Sequence, residues 1–108
     1  MALTNTILAG DIGGTKTLLG LLACNNHRPE PLVVKRYSTK DYEDAKKILR
    51  DFMCKHANGT NINSATVGVA GPVRNASCDL TNIPWKIDST TISDVLNIDL
   101  PNVRLIND

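Results

Sequence analysis

Apolar positions recur along the chain in two rhythms. Residues 6–12 form a short apolar run, Gly13-Gly14 interrupts it, and residues 16–23 resume through Leu18, Leu19, Leu21 and Leu22. Two strands around a glycine turn account for this pattern. Residues 25–31 hold two asparagines, two prolines and no apolar side chain outside the prolines, and read as a loop. Leu32-Val33-Val34-Lys35-Arg36-Tyr37 then supplies a third strand, which makes an antiparallel meander of the first three. The rhythm changes after that. Tyr42, Ala45, Ile48, Leu49, Phe52 and Met53 recur at spacings of three and four, with Lys46, Lys47, Arg50 and Asp51 elsewhere on the circumference. This predicts an amphipathic helix packed on the sheet, capped by Asp41 and ended by Asn58-Gly59.

The second half repeats the alternation. Residues 65–70 read as a fourth strand stopped by Gly71-Pro72, and a short strand is expected near residues 78–81. A helix over residues 89–96 would turn Ile92, Val95 and Leu96 inward, and residues 103–106 read as a last strand before Asn107-Asp108. The outcome is an α/β domain with a mixed sheet, an antiparallel three-strand meander and flanking helices. A chain that stops directly after an apolar strand gives that strand no continuation, so the sequence is expected to be a fragment of a longer protein.

Composition narrows the class of function. The chain has 108 residues, which is one domain at most, and its 12 Lys+Arg against 11 Asp+Glu leave a formal charge of +1 with no basic block. Neither nucleic acid nor an anionic membrane is an expected partner. No apolar stretch approaches the roughly 18 to 20 residues of a membrane span, and Met1-Ala2-Leu3-Thr4 lacks the plan of a signal peptide, so a cytoplasmic location is expected. Cys24, Cys54 and Cys78 are odd in number and far apart, which suits reduced thiols rather than a disulfide framework or a zinc site. Asn58-Gly59-Thr60 and Asn75-Ala76-Ser77 match glycosylation acceptors but are better read as turn chemistry.

The window Gly10-Asp11-Ile12-Gly13-Gly14-Thr15-Lys16-Thr17 carries the strongest chemical signal. Gly13 and Gly14 are free to take positive φ, which would let backbone N–H groups converge on an anion such as a phosphate. Asp11, leaving the first strand at the same mouth, would hold Mg²⁺ directly or through water, and Thr15 adds a hydroxyl donor. A Walker A loop is excluded because Thr15 separates Gly14 from Lys16. A dinucleotide fingerprint is excluded because these glycines open another strand and not a helix. From the glycines alone, a tight hairpin with an incidental acid is as good a reading as a phosphate site.

The Asp-Ile-Gly-Gly-Thr-Lys-Thr hairpin resembles the phosphate-binding turn of the sugar-kinase, actin and Hsp70 superfamily, which has a ribonuclease-H-like, actin-like ATPase fold. Further along, Gly68-Val69-Ala70-Gly71-Pro72-Val73, Leu80-Thr81-Asn82-Ile83-Pro84-Trp85, Ile87-Asp88 and Leu105-Ile106-Asn107-Asp108 resemble, in order, the N-terminal domain of bacterial-type glucokinases. That resemblance covers nearly the whole chain. It implies ATP and glucose as substrates, with Mg²⁺ accompanying the nucleotide, and a C-terminal domain beyond the 108 residues. It also leaves a homodimer open for the complete protein. Asp108 becomes the catalytic base on the sugar 6-hydroxyl, Asn107 and Asn82 become sugar ligands, and Asp11, Gly13, Gly14 and Thr15 handle the phosphates and Mg²⁺. Two competing readings are an actin- or Hsp70-like ATPase module, which would lack the later motifs, and a sugar-sensing regulator descended from a kinase.

Overall fold

The computed structural model describes residues 5–25, 28–80 and 83–107. Its elements run β1 (Asn5–Ile12), β2 (Lys16–Asn25), β3 (Arg28–Ser38), α1 (Ala45–His56), β4 (Ser64–Val69), β5 (Ser77–Asp79), β6 (Lys86–Asp88), α2 (Ser89–Leu96) and β7 (Val103–Asn107). Five strands form one sheet in the order β3-β2-β1-β4-β7, and β5 pairs with β6 in a separate ribbon. The first three strands are antiparallel neighbours, whereas β4 lies parallel to β1 and β7 parallel to β4. This is the mixed α/β sheet with a three-strand meander that the apolar rhythm predicts.

Alternation along the strands decides which face is covered. Leu8 and Ile12 of β1, Leu19 and Leu21 of β2, and Ala65, Val67 and Val69 of β4 are all buried. They join one core cluster with Ala45, Ile48, Leu49 and Phe52 of α1 and Ile92 and Leu96 of α2. Both helices therefore bury one stripe against the sheet, as side chains three and four apart must. Burying each such Leu, Ile or Phe is worth about 1.5–3 kcal/mol, so this stripe and not helix propensity holds α1 and α2 in place. Among the described residues no helix is long and apolar enough to cross a membrane.

Three expectations are corrected. The 25–31 loop is largely strand, because β3 begins at Arg28 and pairs Pro29 with Cys24 and Pro31 with Leu22. Two prolines two residues apart aim their nitrogens at the same edge, and a strand at the rim of a sheet needs no donors on its outer side. Leu32 is the extra residue of a bulge that shifts the register between Leu21 and Leu22. Secondly, α1 is capped by Asp44, whose side chain accepts from Lys47 N–H at 2.9 Å, and not by Asp41, which lies in a 3₁₀ turn over Thr39–Asp41. Thirdly, β6 was not anticipated. Only three residues long, it is too short to show a period, and it exists by pairing Cys78 with Ile87.

The helix at residues 89–96 matches its predicted span, with Asp88 as cap accepting from Thr91 N–H at 2.7 Å. Asn97 closes it in the left-handed region. Asn75 and Ala76 also have positive φ, 53° and 59°, and Arg74 and Ser77 exchange backbone hydrogen bonds of 2.8 and 3.0 Å across them. That is a two-residue hairpin of the I′ type, so the Asn75-Ala76-Ser77 triplet does serve as turn chemistry.

Candidate functional site

Parallel strands deliver their C-terminal ends to one edge, where ligands of open α/β sheets bind. Here the register aligns Ile12 of β1 with Val69 of β4 and Val69 with Asn107 of β7. The glycine hairpin, the Ala70-Gly71 bend after β4 and the end of β7 thus meet along one rim. Asp11 is exposed and sits one residue before the end of β1, opposite Gly68.

Residues 13–15 form the hairpin loop itself, between Ile12 of β1 and Lys16 of β2. Gly13 N–H donates to Lys16 O at 3.0 Å and closes its base. Neither Gly13 nor Gly14 uses positive φ, contrary to expectation; the described residues with positive φ are Gly59, Asn75, Ala76 and Asn97. What the glycines contribute is absent bulk. A Cβ at Gly13 would lie 3.3 Å from Lys16 O, and Gly14 is buried. Thr15 and Lys16 are exposed at the tip.

The hairpin is held from one side by the segment that follows β3. Thr39 N–H donates to Thr15 O at 3.0 Å, and the hydroxyls of Thr17 and Thr39, both fully buried, are 2.9 Å apart. Sequence reasoning missed this pair, since nothing in a Ser-Thr-Lys-Asp stretch marks a partner 22 residues earlier. Beyond it, the Tyr37 and Tyr42 rings meet edge to face at 5.8 Å, and Tyr42 hydroxyl donates to Asp51 Oδ2 at 2.6 Å. That bond, with Lys55 as the second donor, holds the Asp51 carboxyl below its ordinary value, and it pushes the Tyr42 hydroxyl up to about 12.

Of the other predicted site residues, Asn107 is exposed at the end of β7. Asn82 and Asp108 lie outside the described residues. The loop joining β5 to β6 is anchored by Trp85, which is buried and whose carbonyl accepts from Leu80 N–H at 3.0 Å, so this residue shapes the loop as expected. Beside the β5–β6 ribbon opens a polar cavity of about 640 Å³ lined by Arg74, Asn75, Asp79, Lys86, Asp88 and Thr90 among others. Cys78 is buried, which raises its thiol, and it is a packing residue. No cluster of three or more metal-ligating side chains occurs among the described residues. The donors at the hairpin, a carboxylate and a hydroxyl, are hard oxygens that suit Mg²⁺ arriving with its own phosphates and waters, which needs only one or two protein carboxylates.

The sequence model of the glucokinase family matches residues 8–108, from the middle of β1 through the end of the chain. The chain belongs to the glucokinase family. It is 35% identical over 103 residues to a glucokinase of Nostoc sp., covering 94% of this chain and 30% of that protein. Among solved structures it is similar to a glucokinase from an Antarctic psychrotroph, with a TM-score of 0.77 at 21% identity over 96% of this chain and 32% of the other. It is also similar to a ROK family glucokinase from Streptomyces griseus in complex with glucose and AMPPNP, with a TM-score of 0.63, 18% identity, and 96% and 33% coverage. At such identities the structures establish a shared fold. The chain spans about a third of the length of these glucokinases.

Proposed function

We propose that these 108 residues are the N-terminal domain of an ATP-dependent glucokinase and form one wall of its interdomain cleft. The observation that carries this reading is the family match over residues 8–108 combined with the convergence of β1, β4 and β7 on one rim. That rim bears the glycine hairpin at one end and Asn107 at the other. A hairpin that takes phosphates and a strand end that takes a sugar, set two strands apart, are what transfer between those two ligands requires.

In this reading the sugar 6-hydroxyl oxygen attacks the γ-phosphorus, the bond to the bridging oxygen breaks, and ADP leaves. The hydroxyl proton passes to the Asp108 carboxylate, while Asn107 and Asn82 bind neighbouring sugar hydroxyls. Gly14 and Thr15 would offer their donors to the phosphate end and Gly13, its N–H spent on Lys16 O, would contribute the close approach of a residue without a side chain, with Asp11 facing Mg²⁺ of the nucleotide directly or through water. Positioning and charge stabilisation supply most of the catalysis, since phosphoryl transfer asks little covalent chemistry of the protein. Supporting this, glucose and AMPPNP are the ligands of the Streptomyces griseus relative.

The test is Asp108→Asn in a polypeptide of the family's full length carrying this segment. The amide keeps the shape and removes the base, so kcat is expected to fall by about 10²- to 10⁴-fold with sugar binding changed far less. Retention of full activity in a folded variant would remove Asp108 from the chemistry.

A further inference from the structure

Two hydroxyls buried against an apolar core are a costly arrangement unless they satisfy each other, and an apolar pair of the same shape would pack equally well. Thr17 and Thr39 are both 0% exposed, with their hydroxyl oxygens 2.9 Å apart. Thr17 is the second residue of β2, close to the hairpin loop, and Thr39 is the first residue after β3. The β2–β3 ladder ends with Lys16 opposite Ser38 and Thr17 opposite Tyr37, and beyond it the Thr39 carbonyl accepts from Tyr42 N–H at 3.2 Å within the 3₁₀ turn. What ties it to the hairpin is the hydroxyl contact and the bond from its N–H to Thr15 O at 3.0 Å.

We propose that Thr39, pinned by Thr17, is the positioning residue that sets the glycine hairpin for phosphate. Threonine is stiff about χ1, so a directional bond at its hydroxyl also fixes its backbone. That backbone N–H occupies the carbonyl of Thr15. An oxygen carrying partial negative charge at the loop tip would oppose an incoming phosphate; bonded to Thr39, it is held on the side of β3 instead. With Gly13 N–H closing the loop base on Lys16 O, residues 13–16 are braced at two points before any nucleotide arrives. This preorganisation lowers the ordering cost of binding, and it acts on the nucleotide and not on the sugar.

The inference rests on the reading of residues 13–16 as the phosphate hairpin, and the experiment separates the two. In the full-length kinase, Thr39→Val is expected to raise KM for MgATP about three- to tenfold with KM for glucose within about twofold, the loss of one hydrogen bond's worth of organisation. Thr39→Ser, which keeps the hydroxyl, is expected to restore MgATP KM toward the original. The double variant Thr17→Val with Thr39→Val leaves no orphaned hydroxyl, so its Tm is expected to exceed that of Thr39→Val while its MgATP KM stays high. It also carries the test if Thr39→Val alone fails to fold. If MgATP KM returns to the original value in the double variant, the pair is only packing and the proposal is overturned. Gly13→Val is the independent arm: unchanged MgATP kinetics there would overturn the phosphate-hairpin reading itself. A raised KM in Gly13→Val with none in the folded threonine variants would overturn this proposal alone.

Discussion

Ala76→Gly should stabilise the chain, and the reason is local. Ala76 has φ 59° and follows Asn75 at φ 53°, in a turn closed by bonds of 2.8 and 3.0 Å between Arg74 and Ser77. Asparagine tolerates that region; alanine places its Cβ against the following carbonyl at a cost of about 1–2 kcal/mol. The strain persists because the turn is over-determined: besides its own two bonds, Ala76 O accepts from Ser89 N–H at 3.0 Å, which ties the turn to the first residue of α2. Glycine would relieve the clash and keep all three bonds, but it enlarges the unfolded ensemble at a cost of about 0.4–1 kcal/mol. The difference leaves a gain centred on about 0.8 kcal/mol within a range of about 0–1.6, or about 3–6 °C in Tm at the centre for a domain of this size. Urea unfolding followed by circular dichroism, with Ala76→Val as the opposite control, measures it. A midpoint that falls with Ala76→Gly, or one that rises with Ala76→Val, would refute the assignment of strain to this residue.

Two further outcomes are expected. If the proposed activity holds, Asp11→Ala in a polypeptide of the family's full length carrying this segment should raise the Mg²⁺ concentration needed for half-maximal turnover several-fold while glucose binding holds, measured by Mg²⁺ titration at fixed ATP; an unmoved midpoint removes Asp11 from the metal's surroundings. Asp51→Asn should lower Tm at neutral pH. Because the Tyr42 and Lys55 bonds hold the Asp51 carboxyl below 3.8, its stabilisation is fully present above that value and is lost as pH falls through the lowered one, so the gap between the original and the variant should close in acid. At the other end, Tyr42 is raised from 10.0 to about 12, so its share is present below pH 10 and lost as pH rises toward 12. A gap constant across melting curves from pH 3 to neutral would sink the assignment.

The parts of the fold that could be read in advance are those where one side chain's period decides. The apolar stripe of α1 and the span of α2 are legible because burial on a sheet demands that spacing, and the parallel register of β1, β4 and β7 follows once helices separate those strands. What escaped notice depends on a partner distant in sequence. Asp41 and Asp44 are equal as caps by type; Thr39, held by Thr15 and Thr17, keeps residues 39–41 in a 3₁₀ turn and leaves the cap to Asp44. Pro29 and Pro31 signal a loop to any local rule, and only their place at the rim makes them strand residues. For the site, the glycine hairpin was visible because glycine pairs are rare and informative, whereas its brace was not, because threonines are ordinary and their meeting is tertiary. Gly13 and Gly14 carry by type a conformational freedom that this hairpin does not draw on.

The two prolines of β3 have a consequence for how this sheet can meet other chains. A rim strand normally offers a row of donors that a foreign strand can take up. On β3, two of those donors do not exist, the bulge at Leu32 bends the line, and Lys35 would place a charge against any newcomer. Recruitment of an extra strand is thereby steered to the opposite rim, where β7 is the last strand of the sheet. A strand added there would run beside Asn107 and crowd the mouth where the sugar is proposed to sit. The sheet is thus guarded against growth on the side away from Asn107, and a strand-shaped inhibitor would have to enter beside β7.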